Sequence, residues 1–446
     1  MSLNVTWQTR MFFRLKAPSS GLTRAYNIND VPLKKNYSKA GLITLINLLY
    51  FQVGLLVSII SALIPNILDS YHLSYGLGAT LPFAFYISFT FLCIPTGIAN
   101  ERFSPKSVIV FSLLLALAGS LLFALFPNYY FSVISLFIIG SATAILQVSA
   151  VPLLRSVCGA EKLAFHSTLN QLLYGAGAFV SPNIYSYLTS NLVNKDRKSN
   201  FIFDGLARLV PVNYEWIAAY WLFAFLIIVT LLILWFTQFP DKDTASGQPA
   251  EERGSYRQLL KNKYVIFYFI ALTAYTSCEQ GVAVWMSKFF QVYHHVDPLK
   301  NGASILSWYW ILLSGGCLAG LLLLKFFDSR KVLAVFTLMA IGSFTAGLYG
   351  NIDVAKIAFP MVGLFASVMF PIILSLAVNS VARHHELLTG FMYTATVGAA
   401  LGPFIIGVLS DHGGLRFGFH YIYLALGIIL SVPFWARPLM TGKRVE

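Results

Sequence analysis

The stretch Tyr275-Thr276-Ser277-Cys278-Glu279-Gln280-Gly281 lies inside an apolar run from about Tyr264 to Phe290 and puts a carboxyl where water is scarce. Glu279 is the one carboxylate well inside a long hydrophobic segment. An acidic side chain near a bilayer midplane costs roughly 2.5 to 3.5 kcal/mol on insertion scales. A proton, a coupling cation, a polar substrate or a bond to a neighbouring helix can offset that cost; the first three are functions and the fourth is packing. As a carrier, Glu279 would bind a proton or sodium in one access state and release it in the other. As a substrate acceptor it would stay ionised and accept from hydroxyls, and Tyr275 and Gln280 suit either role.

Amides supply the complementary chemistry. Gln147, Asn170, Gln171 and Gln280 all fall within apolar runs. An amide both donates and accepts, as the hydroxyl rim of a pyranose requires, and aromatic side chains suit its C–H faces. Ser167, Gln171 and Gly175 recur every fourth residue and share one helical face, with Asn170 and Tyr174 on the adjoining stripe. Gly175 reads as a packing position. Trp285, Trp308, Tyr309 and Trp310 gather near the start of the second half, though aromatics also form interfacial belts. His166, His384 and His385 stand close to segment ends and read as interfacial. There is no HExxH, no GxSxG, no pair of intramembrane carboxylates and no phosphate-binding Gly-x-x-x-x-Gly-Lys-Ser/Thr loop, so neither an enzyme nor a self-contained ATP-driven pump is expected. Cys93, Cys158, Cys278 and Cys317 show no paired spacing, and no cofactor or metal is expected.

The elements that must position these groups are membrane spans. Of 446 residues, 57% are hydrophobic and 11% charged, against about a quarter charged in soluble domains. Runs of about 20 apolar residues begin near Gly41, Tyr75, Val108, Tyr129, Leu163, Trp216, Tyr264, Ile305, Val332, Ile357, Leu387 and Phe417, which makes an all-α polytopic protein of twelve spans. With both termini cytoplasmic, 23 of the 31 Lys and Arg fall on the inner side, so the net charge of +13 reflects orientation and not nucleic acid. The expected divisions are a cytoplasmic tail (1–40) without a signal-peptide run, a six-helix bundle (41–239), a polar cytoplasmic linker (240–263), a second six-helix bundle (264–437) and a C-terminal tail (438–446). Plasma or bacterial inner membrane is the expected location.

A local repeat follows the second and eighth spans. Gly97-Ile-Ala-Asn-Glu101-Arg102-Phe-Ser-Pro-Lys106 is matched by Lys325-Phe-Phe-Asp328-Ser-Arg330-Lys331. Gly97, Glu101, Arg102 and Lys106 have the types to latch helix ends together; the second copy lacks the glycine and reads equally as a solvated loop.

The first of these loops resembles the signature between spans two and three of the major facilitator superfamily, with Ser104 where a glycine is usual. Ile145-Leu-Gln147-Val-Ser-Ala-Val-Pro152 resembles the fourth-span motif of the fucose:proton symporter family, in its glucose/galactose branch. Asn170-Gln171 with Gly177 and Pro182 is similar to that family's fifth span, Tyr275 to Glu279 to the Tyr-x-Gly-Ala-Glu of its seventh, and Ser367-Val-Met-Phe-Pro371 to its tenth. Gly398, Pro403, Gly407 and Asp411 fit the eleventh, and Trp310 falls in a stretch like the eighth-span Tyr-Trp.

The resemblance implies the major facilitator fold and cation-coupled movement of a hexose or related sugar. The expected substrate residues are Gln147, Asn170, Gln171, Gln280 and Trp310, the expected coupling residue is Glu279, and the partners are a small-molecule substrate, a proton or sodium, and the lipid bilayer. One departure matters. The family's first span has Asp four residues before a Pro, whereas Ser61 stands at that spacing before Pro65, and Asp69 lies towards the outer end. A sugar uniporter, a carrier of another small molecule and a non-transporting sensor of the same fold are the alternatives. Counterflow of labelled sugar separates a carrier, which exchanges it, from a sensor, which only binds it.

Overall fold

The computed structural model describes residues 38–158, 160–194, 200–239, 262–380, 388 and 391–436. Most of the expected tail (1–37), most of the linker (240–261), the C-terminal tail, and His384 and His385 lie outside the described residues.

Several of the described helices are joined by short turns with capped starts. The first half contains α1 (Lys39–Tyr71), α2 (Tyr75–Arg102), α3 (Pro105–Leu125), α4 (Tyr129–Cys158), α5 (Ala160–Val193), the short α6 (Phe201–Leu209) and α7 (Ala218–Phe236). The second contains α8 (Lys263–His294), α9 (Ala303–Phe326), α10 (Ser329–Tyr349), α11 (Ile352–Ala366), α12 (Met369–Asn379) and α13 (Val397–Trp435). Ser38, Ser74, Ser104, Asn262, Asp328 and Asn351 each accept a backbone N–H in the first turn of the helix they precede, which satisfies an otherwise orphaned donor.

Nine segments among the described residues are long and apolar enough to cross a bilayer. The last, Phe391–Trp435, has 45 residues and breaks at Gly414, whose φ of 77° and ψ of 170° are outside helical space, so it crosses twice. Two more helices, α5 with 34 residues and α8 with 32, are long enough but too polar to be counted by composition. They bring the crossings to twelve, and they carry Asn170, Gln171, Glu279 and Gln280. Ten of the expected starts fall within five residues of a helix start, and the last helix resumes at Leu415 just after Gly414; the run expected from Leu387 begins in a stretch only partly described.

Small residues seat these two polar helices. A Cβ on Gly54 of α1 would overlap the Tyr174 carbonyl of α5, and one on Gly177 of α5 would overlap the Phe51 carbonyl of α1. In the second half, Gly398 and Gly402 of α13 press in the same way against the Thr273 and Ser277 carbonyls of α8. Such backbone approaches are how membrane helices pack without a hydrophobic driving force between them. Gly177→Ala and Gly402→Ala are each expected to destabilise the fold by about 1–3 kcal/mol through overpacking. Thermal unfolding in detergent checks this; unchanged melting of both variants would mean the interfaces relax freely.

Candidate substrate site

α8 carries Glu279, which is half-buried. Tyr275, one turn earlier, hydrogen-bonds its side chain, and the Tyr309 hydroxyl of α9 donates to its backbone carbonyl at 3.0 Å. Tyr86 of α2 and Tyr174 of α5 also lie within electrostatic reach of the Glu279 carboxyl. The carboxyl is thus ringed by phenols from both halves. Beside it, the Tyr86 hydroxyl donates to Gln280 Oε1 at 2.6 Å, a bond that joins the halves. Tyr86 is the member sequence reasoning missed: nothing in Phe83-Ala84-Phe85-Tyr86 marks one aromatic as facing a cleft.

Asn170 precedes Tyr174 by one turn, is only 2% exposed, and leaves its Oδ1 without a hydrogen-bond partner. Gln171 is exposed. The stripe it belongs to faces the other half, because Gly175 on that stripe meets the Ser314 side chain of α9 so closely that a Cβ would overlap it. Ser167 and Gln171, further towards the end that carries Ser38, are both exposed, while Gly175 is buried against the second half. Gly175 is a packing residue, as expected. Gln147 on α4 is half-buried with no hydrogen bond among the described residues. Trp310 is fully buried and its Nε1 lacks a partner. The other tryptophans differ: Trp285 donates to the Pro403 carbonyl at 2.9 Å, and Trp308 is 55% exposed against the edge of Phe179. Ser61 is buried, with its hydroxyl unpartnered.

The end of the molecule at the α1–α2 turn is held shut across the halves. Asp69 of α1 pairs with Lys288 of α8 at 2.7 Å and accepts from Gln291 at 3.1 Å. Asp411 of α13 accepts from the Tyr75 and Gly76 amides at 2.7 and 2.9 Å and from Ser74 Oγ at 3.0 Å, so it caps the N-terminus of α2 from the opposite half. Asn183 of α5 donates to Ser307 of α9 at 2.9 Å. Asp69, Tyr75, Lys288 and Asp411 line a shallow cavity of about 330 Å³ there.

The residues of the expected latch lie at the Ser38 end. Nothing lies within 4 Å of a Cβ placed on Gly97, so this glycine makes no close helix approach. Lys106 Nζ donates to the Thr237 and Trp235 carbonyls at 2.9 and 3.3 Å and so caps α7 of its own half. Glu101 and Arg102 form the last residues of α2. In the second copy, Asp328 caps α10: partial burial pushes its carboxyl up, but bonds from the Arg330 side chain and backbone more than reverse this and hold it below the ordinary value. Among the described residues no group of three or more His, Cys, Asp or Glu could hold a metal ion.

The sequence pattern of the Major Facilitator Superfamily matches residues 46–396. A "Glucose/galactose transporter" of Brucella abortus is 27% identical over 420 residues, covering 89% of this chain and 95% of that relative. The "L-fucose-proton symporter" of Escherichia coli is 22% identical over 406 residues, covering 88% and 92%. Among solved structures, the E. coli fucose:proton symporter FucP superposes with a TM-score of 0.61 at 20% identity, covering 89% of this chain and 98% of that one. A bacterial homolog of the human lysosomal transporter Spinster, inward-facing and occupied, superposes with a TM-score of 0.74 at 14% identity, covering 88% and 96%. These structural likenesses are likenesses of fold.

Proposed function

The chain belongs to the major facilitator superfamily, and from that premise we propose that it moves a hexose or related sugar across the membrane by alternating access, coupled to a proton or sodium gradient through Glu279. The observation that carries this reading is the half-buried Glu279 ringed by Tyr86, Tyr174, Tyr275 and Tyr309 from both halves, with Gln280 next to it in the chain and Asn170 one turn from Tyr174. Phenols and amides suit a polyhydroxy ring, and a carboxyl between two halves can exchange its cation as the halves rock. The sugar class is supported by the names of the glucose/galactose and fucose relatives.

Orientation follows from the excess of Lys and Arg on the side of the termini. That side is then cytoplasmic, and the Asp69–Lys288 and Asp411 contacts close the outside. Ser61 favours a second reading, uniport, since a carboxyl of the family pattern is missing from α1.

Asn170→Ala and Gln171→Ala are each expected to weaken sugar binding about tenfold, the equivalent of roughly one hydrogen bond to substrate, with folded protein unchanged. Equilibrium binding to purified protein measures it. Wild-type affinity in either variant would remove that residue from the site. Gln147→Ala follows the same test, with a smaller expected effect because its side chain is only half-buried.

A further inference from the structure

Gln280 is 5% exposed, and its two polar ends have unequal surroundings. Its Oε1 takes the Tyr86 hydroxyl at 2.6 Å, while its Nε2 has no partner among the described residues. The amide is placed with its oxygen towards the phenol, and the short separation suits an O–H···O bond, near about 2.7 Å, better than an N–H···O bond, near about 2.9 Å. Tyr86 is itself 6% exposed and packed edge-on against Phe85 with ring centroids 5.1 Å apart, so its hydroxyl has little freedom to turn away.

We propose that Tyr86 is a positioning residue that pins the Gln280 amide by its oxygen and so turns Gln280 into an obligate hydrogen-bond donor towards the substrate. The proposal rests on the sugar reading above. A free amide can rotate and offer either its oxygen or its N–H groups, and it discriminates poorly. A pinned one demands an acceptor. The amide N–H groups have no protein partner and are not sealed off within it, so a bound substrate that excludes water must meet them with an oxygen, and a ligand lacking that oxygen leaves the donor unpaired. Glu279, the preceding residue, contributes only acceptors when ionised, and the free Asn170 Oδ1 is a further acceptor. The site thereby presents donor and acceptor at separate, fixed points, so it reads the direction of each hydrogen bond as well as its position.

The test uses full-length purified protein and two series of glucose and galactose analogues, each with one ring hydroxyl replaced by hydrogen or by fluorine. Fluorine accepts weakly and cannot donate. In the wild type, one ring position is expected to tolerate fluorine within about threefold in affinity while the deoxy analogue loses about tenfold or more. That difference is expected to vanish in Gln280→Glu, which keeps an oxygen for Tyr86 but has no N–H, and to shrink in Tyr86→Phe. Equal loss of the fluoro and deoxy analogues at every position in the wild type would overturn the proposal. A thermal double-mutant cycle of Tyr86→Phe and Gln280→Ala, run without sugar, checks the pairing itself. The double variant is expected to melt no lower than the worse single, and additive shifts would overturn the pairing. If the wild type binds no sugar at all, the substrate part of the proposal falls with the reading it rests on, and the cycle still decides the pairing.

Discussion

Glu279→Gln is expected to abolish accumulation of sugar against its gradient, with uptake stopping at equilibrium, while exchange of labelled for unlabelled sugar persists. Gln has nearly the shape of Glu but neither releases a proton nor balances a cation. The scaffold around it should hold: Tyr309 bonds the backbone carbonyl at position 279, and an amide still accepts from Tyr275. Alternating access by a carrier whose coupling group is frozen in a neutral form then runs as facilitated exchange. Gradient-driven uptake and counterflow on the same proteoliposomes read the two activities separately. Concentrative uptake undiminished in Glu279→Gln would remove the residue from coupling, and loss of both activities with intact folding would recast it as a direct substrate contact.

The second large effect concerns the closed end. Asp411→Ala is expected to shift the halves towards an opening at the α1–α2 turn by about five- to thirtyfold. The carboxylate accepts three bonds at the α2 N-terminus, where a negative charge also meets the helix dipole. These groups are solvent-accessible, so the net loss is about 1–2 kcal/mol, well below the sum of three charged hydrogen bonds. The Asp69–Lys288 pair should respond asymmetrically. The Asp69 side chain is 55% exposed and the Lys288 side chain 10%, so Lys288→Ala leaves a carboxylate that water solvates, whereas Asp69→Ala strands a buried ammonium. Asp69→Ala is therefore expected to open this end more than Lys288→Ala. Distances between spin labels at exposed Tyr130 and His412 report the opening. Equal, unshifted distributions in all three variants would mean these contacts do not hold the end shut.

Much of this architecture was legible because bilayer physics leaves few options. Twelve stretches of about 20 apolar residues give twelve crossings, and the polar groups that make α5 and α8 poor membrane helices also mark them as the lining of the site. Glu279 stood out as an isolated carboxyl, and the spacing of Ser167, Gln171 and Gly175 identified a face that the structure turns towards the second half. What stayed hidden depends on contacts between distant residues. Tyr86 is one aromatic in an apolar run until Gln280, 194 residues later, meets it. Asp69 lies towards the outer end of its run and Asp411 carries only the eleventh-span resemblance; only the packing of the halves makes them clasps. Lys106 shows the converse, since a basic residue after a helix fits a bridge between halves or a cap within one, and the partner carbonyls of Trp235 and Thr237 decide for the cap.

Uptake of labelled glucose and galactose into proteoliposomes, under an imposed proton gradient, an imposed sodium gradient and none, tests the coupling role of Glu279 most directly. Accumulation above equilibrium with one of the two gradients, and its loss in Glu279→Gln, is the predicted result. Equilibration at the same final level under all three conditions would contradict coupled transport and leave the uniport reading in its place.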